Sequence, residues 1–557
     1  MTKLWVIDGP PGTGKTRYLS QQAAHAAEKY GPDAVAIASL TRTAASEIRG
    51  RTDIHAENVS TLHAHAYRAL DRPDLAETGD AIKEWNLEHP AAELSSGPRR
   101  IEDGPLVAND DDNGKTHTDT IHAQVAALRA RRVPTDQWTP EQQAHDQAWE
   151  DFKTQTHRVD FTDLIAKALA ELPQHPAMPD VLLLDEAQDF SRLELDLAAQ
   201  WAQHTQTTVI VGDPRQALYT WRGSDADTLT ELPATGRRLL EQSHRVPIAA
   251  HAIAQQWVSQ LAIGAAPYHP TDQPGQAANA AYSLREPDQL IAAALQDLAE
   301  DPDATVMVLA SCGYMLGALT KQLKNQGIPF HNPYRTSFAP WNPMRAADRL
   351  LAYLRPSRAV WGDQARPWTW DDLRLWTEPL RSTGVLPRGI KTFAQRKCAP
   401  DKFGETQANV EIDQETLGEL LLDGTNLTNH PAFNLDVQWW EDGLLASHAK
   451  SLAYPLQILR TAGGPALHTK PRITVGTIHS VKGGEASSVY VSPDLSKDAY
   501  WHGWHGGGEP RDSIIRLGYV AATRTSGRLT VLEPTCPEHM PLQDVVRTID
   551  RDARRAA

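Results

Sequence analysis

A chain that sets Gly9-Pro10-Pro11-Gly12-Thr13-Gly14-Lys15-Thr16 between an apolar run, Leu4–Asp8, and a helical segment, Arg17–Tyr30, has few folds open to it. The stretch fits the pattern G-x-x-x-x-G-K-[ST] at every defined position. Its glycines let the backbone curl so that successive N–H groups point inward, and the helix start adds a favourable dipole for an anion. In that geometry Lys15 reaches the β- and γ-phosphates of a nucleotide and the Thr16 hydroxyl ligates magnesium, with Arg17 beside them. A glycine-rich turn with no ligand is the bland alternative. The strand before the loop and the helix after it favour the phosphate reading.

The rest of the composition sets bounds. A chain of 557 residues is too long for one core, so several domains are expected. Hydrophobic residues at 41% and charged residues at 22% describe an ordinary globular protein. Cys312, Cys398 and Cys536 lie far apart, which argues against a disulfide framework or a cysteine zinc site and suits a reducing cytoplasm. No apolar run approaches the roughly 18–20 residues of a membrane span. The first strand begins at once, which predicts no signal peptide. The net charge of −15 opposes bulk attraction to nucleic acid, although a local basic groove can still hold phosphates.

Short apolar runs at Leu4–Asp8, Ala34–Ser39, Val181–Leu184 and Thr208–Val211 suit strands buried on both faces of a parallel sheet. From about Tyr67 to Asp160 the rhythm breaks into a helical, polar insertion, with an acidic patch at Asp110–Asp112 and a basic helix end at Arg129, Arg131 and Arg132. A second alternation starts with a strand at Ala304–Ala310, followed by a helix that Gly327 stops. Ile473–Thr477, Ser488–Val491 and Arg528–Leu532 read as further strands of that sheet. Between them, roughly Trp341 to Gly464, lies another insertion, rich in tryptophan (Trp361, Trp368, Trp370, Trp376, Trp439, Trp440). It also carries a basic run through Arg388, Lys391, Arg396, Lys397 and Lys402, which a solvated face explains better than a duplex contact. The halves share one faint echo, Thr61-Leu62-His63 and Thr477-Ile478-His479.

The second nucleotide element is Val181-Leu182-Leu183-Leu184-Asp185-Glu186-Ala187-Gln188-Asp189. An apolar strand ending in Asp-Glu sets two carboxylates at the carboxyl edge of a parallel sheet, beside the loop. Asp185 suits magnesium held through water, and Glu186 suits a base for the water that attacks the γ-phosphate. With the loop, this stretch resembles superfamily 1 DNA helicases of the UvrD/Rep/PcrA type. Further segments match in order: Thr41-Arg42-Thr43-Ala44-Ala45, Thr61-Leu62-His63, the run Val211–Gly223, Gln242-Ser243-His244-Arg245, the run Gly476–Glu485, and the run Arg516–Arg524. The motifs cover nearly the whole chain. The two insertions match by position only.

The resemblance implies an α/β fold of two RecA-like P-loop NTPase lobes, each with a mostly helical insertion. The first lobe would comprise residues 1–66 and 160–247, with its insertion at 67–159. The second would comprise 248–340 and 465–557, with its insertion at 341–464. It implies ATP and Mg2+ as cofactors, Gln216 as the γ-phosphate sensor, and Arg245 and Arg524 as arginines reaching that phosphate. Arg222 would bridge the cleft and Glu485 would bind the ribose hydroxyl. Tyr219 and Trp221 would stack bases, a contact worth roughly 1–3 kcal/mol per base. Thr61, His63, Thr477 and His479 would hold backbone phosphates without reading sequence. The implied partners are single-stranded DNA and single/double-strand junctions, with repair or replication proteins besides. The implied protein is a cytoplasmic monomer moving 3′ to 5′ and separating strands. A non-unwinding translocase that displaces proteins, or an ATP-gated clamp within a larger complex, remains open.

There are departures from the pattern. The family's adenine-reading glutamine precedes the loop, and here Gly9 leaves it no room. The usual adenine-stacking tyrosine before Arg245 is His244, a smaller ring. Weaker base discrimination is expected, with GTP or CTP partly supporting turnover. The second insertion is shorter than in well-known members.

Overall fold

The computed structural model describes residues 3–40, 54–95, 117–224, 226–336, 338–400, 404–421 and 430–556. Thr41–Ala45, Asp110–Asp112 and Lys402 lie outside the described residues. The fold is α/β, carried by two parallel six-stranded sheets. In the first sheet the strands are β1 (Lys3–Asp8), β2 (Val35–Ser39), β3 (Val59–Thr61), β4 (Val181–Asp185), β5 (Thr207–Gly212) and β6 (Gly236–Leu239). Their order is β3-β2-β4-β5-β1-β6.

Alternation along the central strands sends side chains to two cores, as a strand's period of two requires. Leu182 and Leu184 join Val6, Ile210 and Trp201 on one face, while Val181 and Leu183 join Ile7, Val209 and Val211 on the other. The second core also takes Leu19, Ala23 and Ala26 of helix α1 (Lys15–Tyr30). That helix begins two residues earlier than the sequence suggests, because Gly14, at φ +79°, turns directly into it.

Register decides where the chemistry gathers. Asp8 pairs with Gly212, and Ser39 pairs with both Asp185 and Thr61. The strands therefore end together, and Gly9, Thr61, Asp185 and Asp213 leave one edge of the sheet. At Thr61 the chain passes into α2 (Leu62–Ala69), whose first turn the Thr61 side chain caps.

The second sheet comprises β7 (Gln276–Asn279), β8 (Val306–Ala310), β9 (Phe330–His331), β10 (Ile473–Thr477), β11 (Ala486–Val491) and β12 (Thr525–Val531). The chain divides into two compact units. One comprises Met1–Ser283, Leu309–Met315 and Thr477–Ala557; the other comprises Leu284–Val308 and Leu316–Gly476. Within the first unit β12 pairs in parallel with β11 and with β7. Within the second, β9 pairs with β10.

The 67–159 region is helical where described. Its α3 (His117–Ala130) and α4 (Pro140–Thr156) accompany a small core of Ile82, Trp85, Trp149 and Phe152. In the second unit Trp376 and Trp440 are buried with Tyr353, and the Trp440 indole donates to the Trp376 carbonyl. Many of the tryptophans thus build a core. Gly327, at φ +64°, ends the helix Gly317–Gln326 as expected. No helix among the described residues is long and apolar enough to cross a membrane.

Candidate active site

The phosphate loop is tied to its sheet by the Gly9 N–H, which donates to the Gly212 carbonyl at 2.9 Å. A side chain at Gly9 would lie 2.2 Å from the Lys15 side chain, and one at Gly12 would lie 2.6 Å from the Ser243 hydroxyl. Both glycines thus keep a cradle open that a Cβ would fill. Lys15 donates to the Gly9 carbonyl at 2.8 Å, which folds the ammonium over the loop. Thr13 donates through its hydroxyl to Pro10, and both prolines of the loop are buried. Arg17 is exposed at the start of α1. The neighbouring cavity of about 440 Å³ is lined by Thr13, Arg238, Leu240, Glu241, Gln242 and His244. His244 is exposed there, and its N–H donates to the Gly12 carbonyl.

Asp185 ends β4, fully buried, with the Thr16 hydroxyl donating to it at 3.4 Å. Burial and the adjoining Glu186 charge push the Asp185 carboxyl up, against the opposing pull of Lys15. Glu186 holds a left-handed backbone, φ +54°, a conformation that a non-glycine residue adopts only when its surroundings impose it. Burial disfavours its charge too, but Lys15, Lys482, the Gln188 amide and Arg524 outweigh that and hold Glu186 ionised. One carboxylate of the pair is thus charged and able to take a proton. The other, with a hydroxyl beside it, offers the hard oxygen donors that magnesium prefers.

Gln216 lies in the turn after β5. Its amide nitrogen donates to Asp213 at 2.6 Å, and its oxygen accepts from Arg524 at 3.3 Å. Arg524 follows helix α5 (Gly508–Ala522) and also donates to the Val520 and Gly484 carbonyls. Arg245 stands on the other side of the loop. Burial pulls its pKa down, its Nε is buried without a hydrogen-bond partner among the described residues, and its one ion pair among those residues, with exposed Glu485, is 3.8 Å long. A buried cation so weakly compensated suits an arriving anion.

Tyr219 and Trp221, both half-buried, meet edge to face with centroids 5.9 Å apart, and His479 lies 6.5 Å from Tyr219. Thr477 is buried and caps the turn after β10, accepting from the Ser480 N–H at 3.3 Å. Thr61 does the same for Ala64 at 3.1 Å. His63 is buried against Glu194, 3.3 Å away, and Arg222 adds its positive charge to that same carboxylate. The structure thus brings Lys15, Thr16, Asp185, Glu186, Gln216 and Arg524 into one constellation. It gathers Tyr219, Trp221 and His479 beside it, and sets His63 and Arg222 around Glu194.

Two participants were not singled out from the sequence. Lys482 pairs closely with Asp189, donates to the Gln216 carbonyl at 3.1 Å, and lies 3.6 Å from Glu186 and 5.4 Å from the Tyr219 ring. Its place inside the Gly476–Glu485 match was the available signal. Arg215 bridges Asp8 and Asp213, and burial with the Asp213 charge pushes Asp8 up to about 6.

Residues 1–235 match the family model described as the UvrD/REP helicase N-terminal domain. The N-terminal part of this chain is thus similar to UvrD/REP-type helicases. Among curated proteins, the ATP-dependent DNA helicase PcrA of Leuconostoc citreum is 27% identical over 263 residues, covering 42% of this chain and 34% of that protein. PcrA of Bacillus subtilis is 25% identical over 271 residues, 43% of this chain and 36% of the relative. A probable DNA helicase II homolog of Mycoplasma pneumoniae is 27% identical over 256 residues, 41% and 35% respectively. The match spans about a third of the length of these relatives. The matched region holds the phosphate loop, the Asp185-Glu186 pair and the Gln216–Trp221 turn.

Proposed function

We propose that this chain is an ATP-dependent DNA helicase or translocase that moves on single-stranded DNA, 3′ to 5′, and separates strands as it advances. The observation that carries the reading is the short turn from Gln216 to Trp221. One end holds Arg524 beside the carboxylate pair, and the other presents the Tyr219 and Trp221 rings. A phosphate sensor and a base platform on one turn couple nucleotide state to strand grip. In this reading one lobe comprises 1–66 with 160–247 and the other 248–340 with 465–557.

In this reading Lys15 and Arg245 neutralise the phosphate oxygens, and Glu186 takes the proton of the attacking water. Thr16 and Asp185 would hold Mg2+, which would supply charge neutralisation at the phosphates. Gln216 orients the water, since its amide both donates and accepts. Arg524 stabilises the transition-state charge, an effect worth roughly 10³–10⁵ in rate for such arginines. Thr61, His63, Thr477 and His479 hold the strand's phosphates while Tyr219 and Trp221 stack its bases. Glu485 takes the ribose hydroxyl, and His244 stacks on the base in the neighbouring cavity.

ATP turnover with and without single-stranded DNA, followed by unwinding of 3′- and 5′-tailed duplexes, tests this for the wild type and Lys15→Ala. Turnover stimulated by DNA and abolished in Lys15→Ala is expected, with the 3′-tailed duplex opened. Displacement of a bound protein with no duplex opening would mark a non-unwinding translocase. Absence of any DNA stimulation defeats the motor reading.

A further inference from the structure

The basic helix end at Arg129, Arg131 and Arg132 has the composition of a phosphate-binding patch, yet each guanidinium has a protein partner. Arg129 pairs with Asp160 and Asp163, both at 2.5 Å, and Arg132 pairs with Asp196 at 2.7 Å. These flanking pairs fix the end of α3 on both sides of Arg131. Arg131 itself pairs with no carboxylate among the described residues. Its Nη2 donates to the Thr220 carbonyl at 2.7 Å and lies 3.4 Å from the Ser224 carbonyl. Thr220 stands between Tyr219 and Trp221.

The backbone there is also pressed against α3. Gly223, at φ +93°, has no room for a side chain: a Cβ would come within 2.8 Å of the Ala130 methyl and 3.1 Å of the Ala127 carbonyl. From the other direction, the Thr220 hydroxyl exchanges a hydrogen bond with the Ser513 hydroxyl of α5 at 2.9 Å. The turn that bears the rings is thus held through its backbone by the insertion helix and through a side chain by the helix that leads to Arg524.

We propose that Arg131 is a positioning residue for strand binding: by fixing the Thr220 and Ser224 carbonyls it sets the Tyr219 and Trp221 rings in their stacking arrangement. The insertion thereby acts on the DNA strand through this turn, without Arg131 touching the strand. The inference rests on the reading of Tyr219 and Trp221 as a base platform. A guanidinium can fork onto two carbonyls in fixed directions, whereas an ammonium reaches only as a point charge.

Full-length Arg131→Ala, Arg131→Lys, Arg132→Ala and Trp221→Ala, assayed with an oligothymidylate, separate the outcomes. For Arg131→Ala the half-saturating DNA concentration for ATP turnover should rise roughly 10- to 100-fold, the scale of one charge-assisted hydrogen bond. DNA-free turnover and the KM for ATP should stay within about twofold, because no group on the nucleotide is altered. Arg131→Lys should fall between Arg131→Ala and wild type, and it carries the test if Arg131→Ala is unstable. Arg132→Ala should leave DNA half-saturation near wild type. If Trp221→Ala weakens DNA binding but Arg131→Ala and Arg131→Lys do not, the proposal is overturned. It is equally overturned if the Arg131 variants lower DNA-free turnover as much as DNA affinity. If Trp221→Ala has no effect on DNA binding, the platform reading itself fails.

Discussion

Thr61-Leu62-His63 and Thr477-Ile478-His479 are one pattern used twice, and the structure treats their residues unequally. Each threonine closes a strand and caps the following turn, accepting a backbone N–H three residues on. Each therefore has a job in the fold before any ligand arrives, and its O–H can still donate to a phosphate. The histidines diverge. His63 is buried against a carboxylate that Ser191 also engages through its N–H and hydroxyl, whereas His479 is half-buried beside the Tyr219 ring. The first contact is built into its own sheet's helices; the second depends on the aromatic turn. In the proposed reading, similar residues offered to a strand thus differ in how firmly the fold holds them.

The same contrast extends to the nucleotide side, where Lys15 and Glu186 come from the first sheet and Arg524 from the second. The largest effect should follow from removing the second-sheet group. Arg524→Ala should lower ATP turnover by roughly 10³–10⁵. Nucleotide affinity, read by equilibrium binding, should change only a few-fold, since Lys15 and the loop remain. A loss below tenfold would place Arg524 outside the reaction and dissolve the contrast.

Lys482 is where the second-sheet side is anchored, so Lys482→Met probes the anchor. It leaves Asp189, fully buried, without its cation. Breaking a buried pair costs about 3–5 kcal/mol at most, less if the carboxyl takes a proton. Burial already raises the Asp189 pKa above its ordinary value, with Lys482 opposing. A carboxyl whose folded pKa is raised binds more protons folded than unfolded, so its contribution to stability falls as pH rises. The Lys482→Met deficit should therefore widen from pH 5 to pH 8 in thermal unfolding. A pH-independent deficit would show that Lys482 acts by packing alone.

The apolar runs of β1, β4 and β5 were legible because strands buried on both faces leave uninterrupted hydrophobic sequence. The strands not anticipated, β3, β6, β7 and β9, each have one partner among the described pairings, and β6 and β7 carry polar or small residues (Gly236-Arg237-Arg238-Leu239, Gln276-Ala277-Ala278-Asn279). An edge strand half in water needs no apolar run, so periodicity cannot find it. The phosphate loop was legible because its geometry demands particular residues at fixed spacing. Lys482 pairs with an aspartate 293 residues away, and Arg131 with a carbonyl 89 residues away. No local pattern encodes such contacts; they follow from how the sheets and helices pack.

The finest test returns to the two histidines. In the proposed reading both histidines contact the strand; His63→Ala also takes away the group beside buried Glu194, whereas His479→Ala removes a half-exposed ring. Each variant should weaken single-stranded DNA binding by roughly 2- to 10-fold, the scale of one hydrogen bond. His63→Ala should lower the melting temperature more, because the buried carboxylate loses a partner that keeps its pKa well below the ordinary range. Loss of that partner also predicts greater sensitivity of His63→Ala to rising pH, since Glu194 would then carry an ill-compensated charge. Glu194→Gln in the His63→Ala background should recover most of the lost stability without restoring DNA affinity, separating the structural share of the contact from its share in binding. Equal melting temperatures for His63→Ala and His479→Ala would mean that the two segments are equivalent after all, and that burial of His63 beside Glu194 carries no energetic weight.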